Sequence, residues 1–207
     1  MHADSPDSVS GREMGMGMNV HTTSRARFRA AVDASREDWE IIEEAERRWR
    51  GDAGVGDGLL RLLGSLQHDD ALGAPVNLYT HCLQTATRAM QDGADDELVV
   101  VALFHDVPEA ISENDHGALA AKMLAPRISD ARAWLLTHHG VFQNYYFANH
   151  PTRDRFERDG YRDHPLAAQT DHFCRCYDQN SFDPDFTLPP LESFRPIVRR
   201  FFGAAPE

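Results

Sequence analysis

Basic charge, cysteine and long apolar runs are all scarce in this 207-residue chain, and each shortage argues against a class of function. Lys and Arg number 21 against 33 Asp and Glu, a net charge of −12. That balance opposes binding to a nucleic-acid backbone, which calls for a basic patch. Three cysteines, two of them in Cys174-Arg-Cys176, make no disulfide framework and fit a reducing cytoplasm. No stretch approaches the roughly 20 apolar residues that cross a bilayer. The basic-then-apolar pattern of an export leader is missing from the N-terminal residues, which points away from secretion. Alternating strand patterns and internal repeats are absent as well. A small polar or anionic molecule is the partner class left, and the oligomeric state is not legible.

Histidine is what the chain has in quantity, eleven in all. Residues 1 to about 24, with "GREMGMGMNV", carry no apolar period and predict a disordered tail. From residue 25 to 207 we expect one all-α domain. A helical pattern begins after Asp33, in "ASREDWEIIEEAERRW", and "GDAGVGDG" breaks it. Further helices are predicted at about 58–67, 76–92, 95–106, 116–125, 129–139, 164–178 and 191–202. The aromatic and charged link from Gly140 to His164 has the length of a functional loop.

Two of these helices place histidines against each other. Leu98, Val101, Ala102 and His105 follow the i, i+3, i+4, i+7 rule. The preceding helix carries His81, and the turn near 93–95 is short enough to make the pair antiparallel. At about 1.5 Å per residue, His81 and His105 lie roughly 18 and 15 Å back from that turn, at nearly one level. Asp106 follows His105 directly, and Ala167, Asp171, Cys174 and Asp178 share one stripe of a later helix. By residue type alone, Asp178 also suits a helix cap and His116 a helix start. Periodicity does not say whether His138 or His139 points inward. His172, Cys174 and Cys176 do not make a soft-metal site, because helical residues two apart diverge by about 200°.

The order His81, His105-Asp106, His116, His139, Asp178 resembles the HD-domain superfamily, whose all-α bundle holds metals between helices. Within it the chain is most similar to the small mixed-valent diiron oxygenases, typified by 2-amino-1-hydroxyethylphosphonate dioxygenase and, more distantly, myo-inositol oxygenase. The similarity runs from about Pro75 to Phe202 through "THCLQTA", "ALFHDV", "DHGALAAKML", "LLTHHGVFQNYY", "FCRCYDQ" and "LPPLESFRPIVRRFF". The resemblance implies a dinuclear site. His81, His105, Asp106 and Asp178 would hold one iron, and Asp106 would bridge to a second held by His116 and His139. It implies Fe(II)/Fe(III) as cofactor and O2 as co-substrate, with Asp106, His116 and His139 at the reacting centre. Four imidazoles and two carboxylates suit iron or manganese better than a closed thiolate zinc site.

Two positions depart from that family. Gln143 stands where the phosphonate enzyme has a lysine, and "DALGAPVNLY" offers no counterpart of the acid before its first histidine. Gln143, Tyr145, Lys122 and Arg158 are the candidate substrate-binding residues. The expected activity is O2-dependent oxidation of a small polar substrate at a C–H bond, extending to C–C or C–P cleavage. A metal-dependent phosphohydrolase acting on a nucleotide or phosphomonoester is the alternative enzyme, and a metal-stabilised interaction module the non-enzymatic one.

Overall fold

A computed structural model describes residues 25–51, 54–112 and 114–203. The predicted tail lies outside them. About 65% of the described residues are helical, in eight α-helices and six short 3-10 turns, and none lies in a strand. The chain divides into two units, Met1–Ala45 and Glu46–Glu207. Helix α1 (Arg36–Gly51) spans that boundary. Within the first unit, Ser35 and Asp38 cap each other reciprocally: Asp38 N donates to Ser35 Oγ at 3.1 Å and Ser35 N to Asp38 Oδ2 at 3.0 Å. Phe28 packs on Trp39 there, ring centres 5.8 Å apart.

The second unit is a bundle of α2 (Gly54–Ser65), α3 (Leu78–Gln91), α4 (Asp96–Phe104), α5 (His116–Leu124), α6 (Asp130–Gln143), α7 (Ala167–Cys176) and α8 (Arg195–Gly203). Helix α4 is its axis. Every residue from Leu98 to Phe104 is buried, which an all-apolar "LVVVALF" permits and an amphipathic helix would not. Around it lie Leu60 and Leu63 of α2, Leu83 and Ala86 of α3, Leu135 and Leu136 of α6, Phe173 of α7 and Val198 and Phe202 of α8. Asn77 and Asp95 start α3 and α4 as side-chain caps, accepting from Thr80 N at 2.9 Å and Leu98 N at 2.7 Å. Gly93, at φ +78°, turns the chain between them.

The helical periods and the structure part company at element ends. The break expected at "GDAGVGDG" is instead helical from Gly54 onward. Gly56 faces α8 so closely that a Cβ would lie 2.7 Å from Val198 and 2.9 Å from a Phe202 ring carbon. Tertiary packing outweighs the roughly 1 kcal/mol helical penalty of glycine. The helix predicted to about 106 ends at Phe104, with His105 as its C-cap and a 3-10 turn at Val107–Ala110 carrying Pro108. Likewise α7 ends at Cys176, and Asp178 opens a 3-10 turn of its own. The link after α6 contains short 3-10 turns at Asn144–Tyr146 and Glu157–Tyr161.

Candidate metal centre

Six side chains from five places in the bundle converge at one end of α4. His81 comes from the first turn of α3, and His105 and Asp106 from the C-terminus of α4. His116 is the first residue of α5, His139 lies on α6, and Asp178 follows α7. The expected matching depth of His81 and His105 is met: their Nε2 atoms stand 3.3 Å apart. His139, not His138, enters the cluster, while His138 stacks on Trp134 with ring centres 4.1 Å apart.

Asp106 divides its carboxylate between two histidine pairs. Its Oδ2 lies 3.2 Å from His81 Nε2 and 3.1 Å from His105 Nε2. Its Oδ1 lies 3.0 Å from His139 Nε2 and 3.4 Å from His116 Nε2. Asp178 Oδ1 completes the first set, 3.2 Å from His81 Nε2 and 3.8 Å from His105 Nε2. Two groups with metal-ligand geometry result, His81–His105–Asp106–Asp178 and Asp106–His116–His139, joined at Asp106.

Backbone carbonyls orient the rings. Ser181 O, Ala102 O and Leu136 O face the Nδ1 atoms of His81, His105 and His139 at 3.0, 2.9 and 2.6 Å. A neutral imidazole that donates from Nδ1 presents a bare lone pair at Nε2. Bare nitrogens 3.3 Å apart, as in His81–His105, repel unless a proton or a cation lies among them; His139 presents its own to His116 Nε2 at 3.2 Å. Asp178 Oδ2 is buried without a hydrogen-bond partner. This donor set fits two first-row transition-metal ions, one per group.

Without a metal, protons serve that purpose. Burial alone would lower the His81 pKa, but the carboxylates of Asp106 and Asp178 outweigh it and hold it at about 10. The same balance raises His105 well above its ordinary value. Burial would raise both carboxyls, yet the histidines hold Asp106 well below the usual range and Asp178 at about 2. Glu109 behaves oppositely: desolvation and the Asp106 charge push its pKa up.

Five of the six cluster residues, all but the fully buried His105, line the floor of an open cleft of about 580 Å³. Ala71, Leu72, Val76, Leu78, Phe147 and Phe182 give it apolar walls, and Asp69, Asp70, Glu109, Gln143 and Arg153 add polar groups. Phe182 packs on His81 at 4.6 Å between ring centres. Of the four substrate-binding candidates, only Gln143 is among the described residues lining this cleft. Lys122 is exposed on α5; six positions beyond His116 is about 240° around the helix, away from the cluster. Arg158 is paired with Asp171 and lies over the Tyr145 ring, 3.3 Å from its centre. That contact takes Tyr145 and Arg158 into the packing of the loop after α6. Glu109 and Asp69 escaped the sequence reading, and Asp70, the first residue of the "DALGAPVNLY" read as offering no counterpart acid, lines the cleft. Only Glu109 carried a signal, three residues beyond Asp106 and so within about one helical turn of it.

No protein-family model and no curated protein matches this chain.

Proposed function

We propose that this chain is a dinuclear iron oxygenase of the HD-domain type, oxidising a small polar substrate at a C–H bond with O2. The observation that carries the reading is the divided carboxylate of Asp106, one oxygen toward His81 and His105 and the other toward His116 and His139. His81, His105, Asp106 and Asp178 would hold one iron, and Asp106, His116 and His139 the other. Bound iron supplies the electron transfer to O2 that organic side chains do not.

The protein's own residues supply position and exclusion. The carbonyls of Ser181, Ala102 and Leu136 fix three imidazole planes before any metal arrives. Gln143 Nε2 donates to Asp178 Oδ1 at 2.8 Å and restrains that carboxylate. Phe147, Phe182 and Leu78 line the cleft with carbon, limiting water beside the reacting bond. Seating a substrate heteroatom on the cluster floor would hold its neighbouring C–H in one orientation, an advantage otherwise lost to diffusion.

A hydrolase of phosphomonoesters would share the metal ligands but would need cations for its substrate. Arg153 is the only lysine or arginine among the described cleft residues, beside the five carboxylates of Asp69, Asp70, Asp106, Glu109 and Asp178. The test is a substrate screen in an oxygen electrode, run in parallel with phosphate release from nucleotides and phosphomonoesters. Substrate-triggered oxygen uptake that vanishes in His139→Ala supports the oxygenase. Metal-dependent phosphate release with no oxygen uptake would replace it with the hydrolase.

A further inference from the structure

About one turn beyond His81 on α3 lies a buried polar side chain that is not among the described cleft residues. Gln84 is 0% exposed. Its Nε2 donates to Asp183 O at 2.6 Å, and its Oε1 accepts from Asp183 N at 3.3 Å. A backbone carbonyl only accepts and a backbone N–H only donates, so this pairing fixes which amide atom is which. One side chain thus grips both polar backbone atoms of a residue 99 positions away.

Asp183 ends the segment that builds the first metal position. Asp178 supplies its carboxylate there, and Ser181 N donates to Asp178 O at 2.9 Å. Ser181 O accepts from His81 Nδ1 at 3.0 Å, and Phe182 packs on the same ring. His81, Gln84 and Arg88 lie within about 60° of one another around α3. They meet this segment in order. His81 meets Ser181 and Phe182, Gln84 meets Asp183, and the Arg88 guanidinium lies 4.5 Å from the Phe186 ring centre. The second position draws instead on Asp106, on His116 of α5 and on His139 of α6.

We propose that Gln84 is a positioning residue for the first metal. By clasping Asp183 it sets the place of Asp178 and the ring plane of His81, and so governs affinity at that position and not at the second. This rests on the dinuclear reading and names a residue on which one half of that site depends. Gln143 restrains the carboxylate of Asp178, whereas Gln84 holds the backbone that carries it.

The test titrates cobalt(II), whose visible absorption reports its ligands, into the full chain without oxygen. His116→Ala isolates the first position and Asp178→Ala the second. Gln84→Met keeps the volume and removes both hydrogen bonds. Gln84→Glu keeps the volume and, ionised, turns an acceptor toward Asp183 O. Helicity is read first by circular dichroism, and either variant that keeps it decides. In His116→Ala, each substitution of Gln84 should weaken cobalt(II) about 10- to 100-fold, the usual effect of losing a group that orients a metal ligand. In Asp178→Ala, the same substitutions should change affinity by less than about twofold, as independent sites do. Proton NMR of the metal-free chain adds a readout of geometry. The Nδ1 proton of His81, held by Ser181 O, should exchange with water faster in either variant, while those of His105 and His139 stay as they are. Equal weakening at both positions overturns the proposal, since general destabilisation does that. Loss of helicity in both variants overturns it too, by making Gln84 a requirement of the fold. A native chain that binds two cobalt ions, with first-position affinity unchanged in the variants, removes the inference about Gln84 alone. A native chain that binds none removes the dinuclear reading and this inference with it.

Discussion

Asp106 is the residue on which the candidate centre turns, because both of its oxygens are engaged, each with a different histidine pair. Asp106→Ala should therefore lower the metal content of both positions together. Asp178→Ala should empty only the first and His116→Ala only the second; elemental analysis of iron-supplemented protein separates the three patterns. The protonated histidines make a second prediction for the metal-free chain. His81, raised from 6.5 to about 10, contributes stability that is complete below pH 6.5 and is lost as pH rises through 10. Asp178, lowered from 3.8 to about 2, contributes stability that is complete above pH 3.8 and is lost as pH falls through 2. Chelated protein should accordingly melt highest between about pH 4 and 6.5 and decline toward pH 10. Metal affinity should run the opposite way and rise with pH, since the cation takes the place of those protons. A thermal midpoint that rises steadily from pH 6.5 to 10 in chelator would contradict this account of the cluster.

Between elements, the second half of the centre depends on how closely α5 approaches α6. Gly117 follows His116, and a Cβ there would press into the Leu136 carbonyl oxygen and come within 3.3 Å of the His139 ring. The obstruction includes backbone, which cannot rotate aside. Gly117→Ala should push the two helices apart, cost about 1–3 kcal/mol as an overpacking substitution, and draw His116 away from Asp106. The expected result is a lower denaturant midpoint together with selective loss of the metal held by His116 and His139. Normal occupancy of both positions in this variant would mean that α5 tolerates the shift. The antiparallel turn between α3 and α4 was readable beforehand from its short length and Gly93, whereas this close approach was not: "DHGALAAKML" does not say what its glycine faces.

At the scale of the whole chain, every candidate ligand and every residue of the hydrophobic core among the described residues lies between Gly54 and Gly203. Removal of residues 1–23 should therefore leave helicity and metal content unchanged, as circular dichroism and elemental analysis would show. Loss of either would assign those residues a structural role. Metal removal should act on the molecule as a unit. With free metal about 100-fold above its dissociation constant, each site adds about 2.7 kcal/mol to folding, so chelation should lower the melting temperature by roughly 5–10 °C per site. An unchanged melting temperature would argue that the cluster holds no metal under those conditions.

Helical period and end signals determined the all-α class, because burial of one face per 3.6 residues is a local property of the chain. The same arithmetic placed His81 and His105 at one depth, since a short turn leaves two antiparallel helices little freedom to slide. What the bundle alone decided is everything that depends on distant segments meeting. The division of the Asp106 carboxylate needs α3, α4, α5 and α6 at fixed separations. The choice of His139 over His138 is set by the side of α6 that packs inward, and both were i, i+4 partners of apolar residues. Gly56 could run within a helix only because α8 covers it. Lys122, Tyr145 and Arg158 looked eligible by charge or ring alone, and the fold turned them to solvent or to one another. Asp69 and Asp70 reached the cleft through turns that no periodicity describes. Secondary structure follows from neighbours along the chain; a site is assembled from residues dozens apart, and only their packing says which of them share a space.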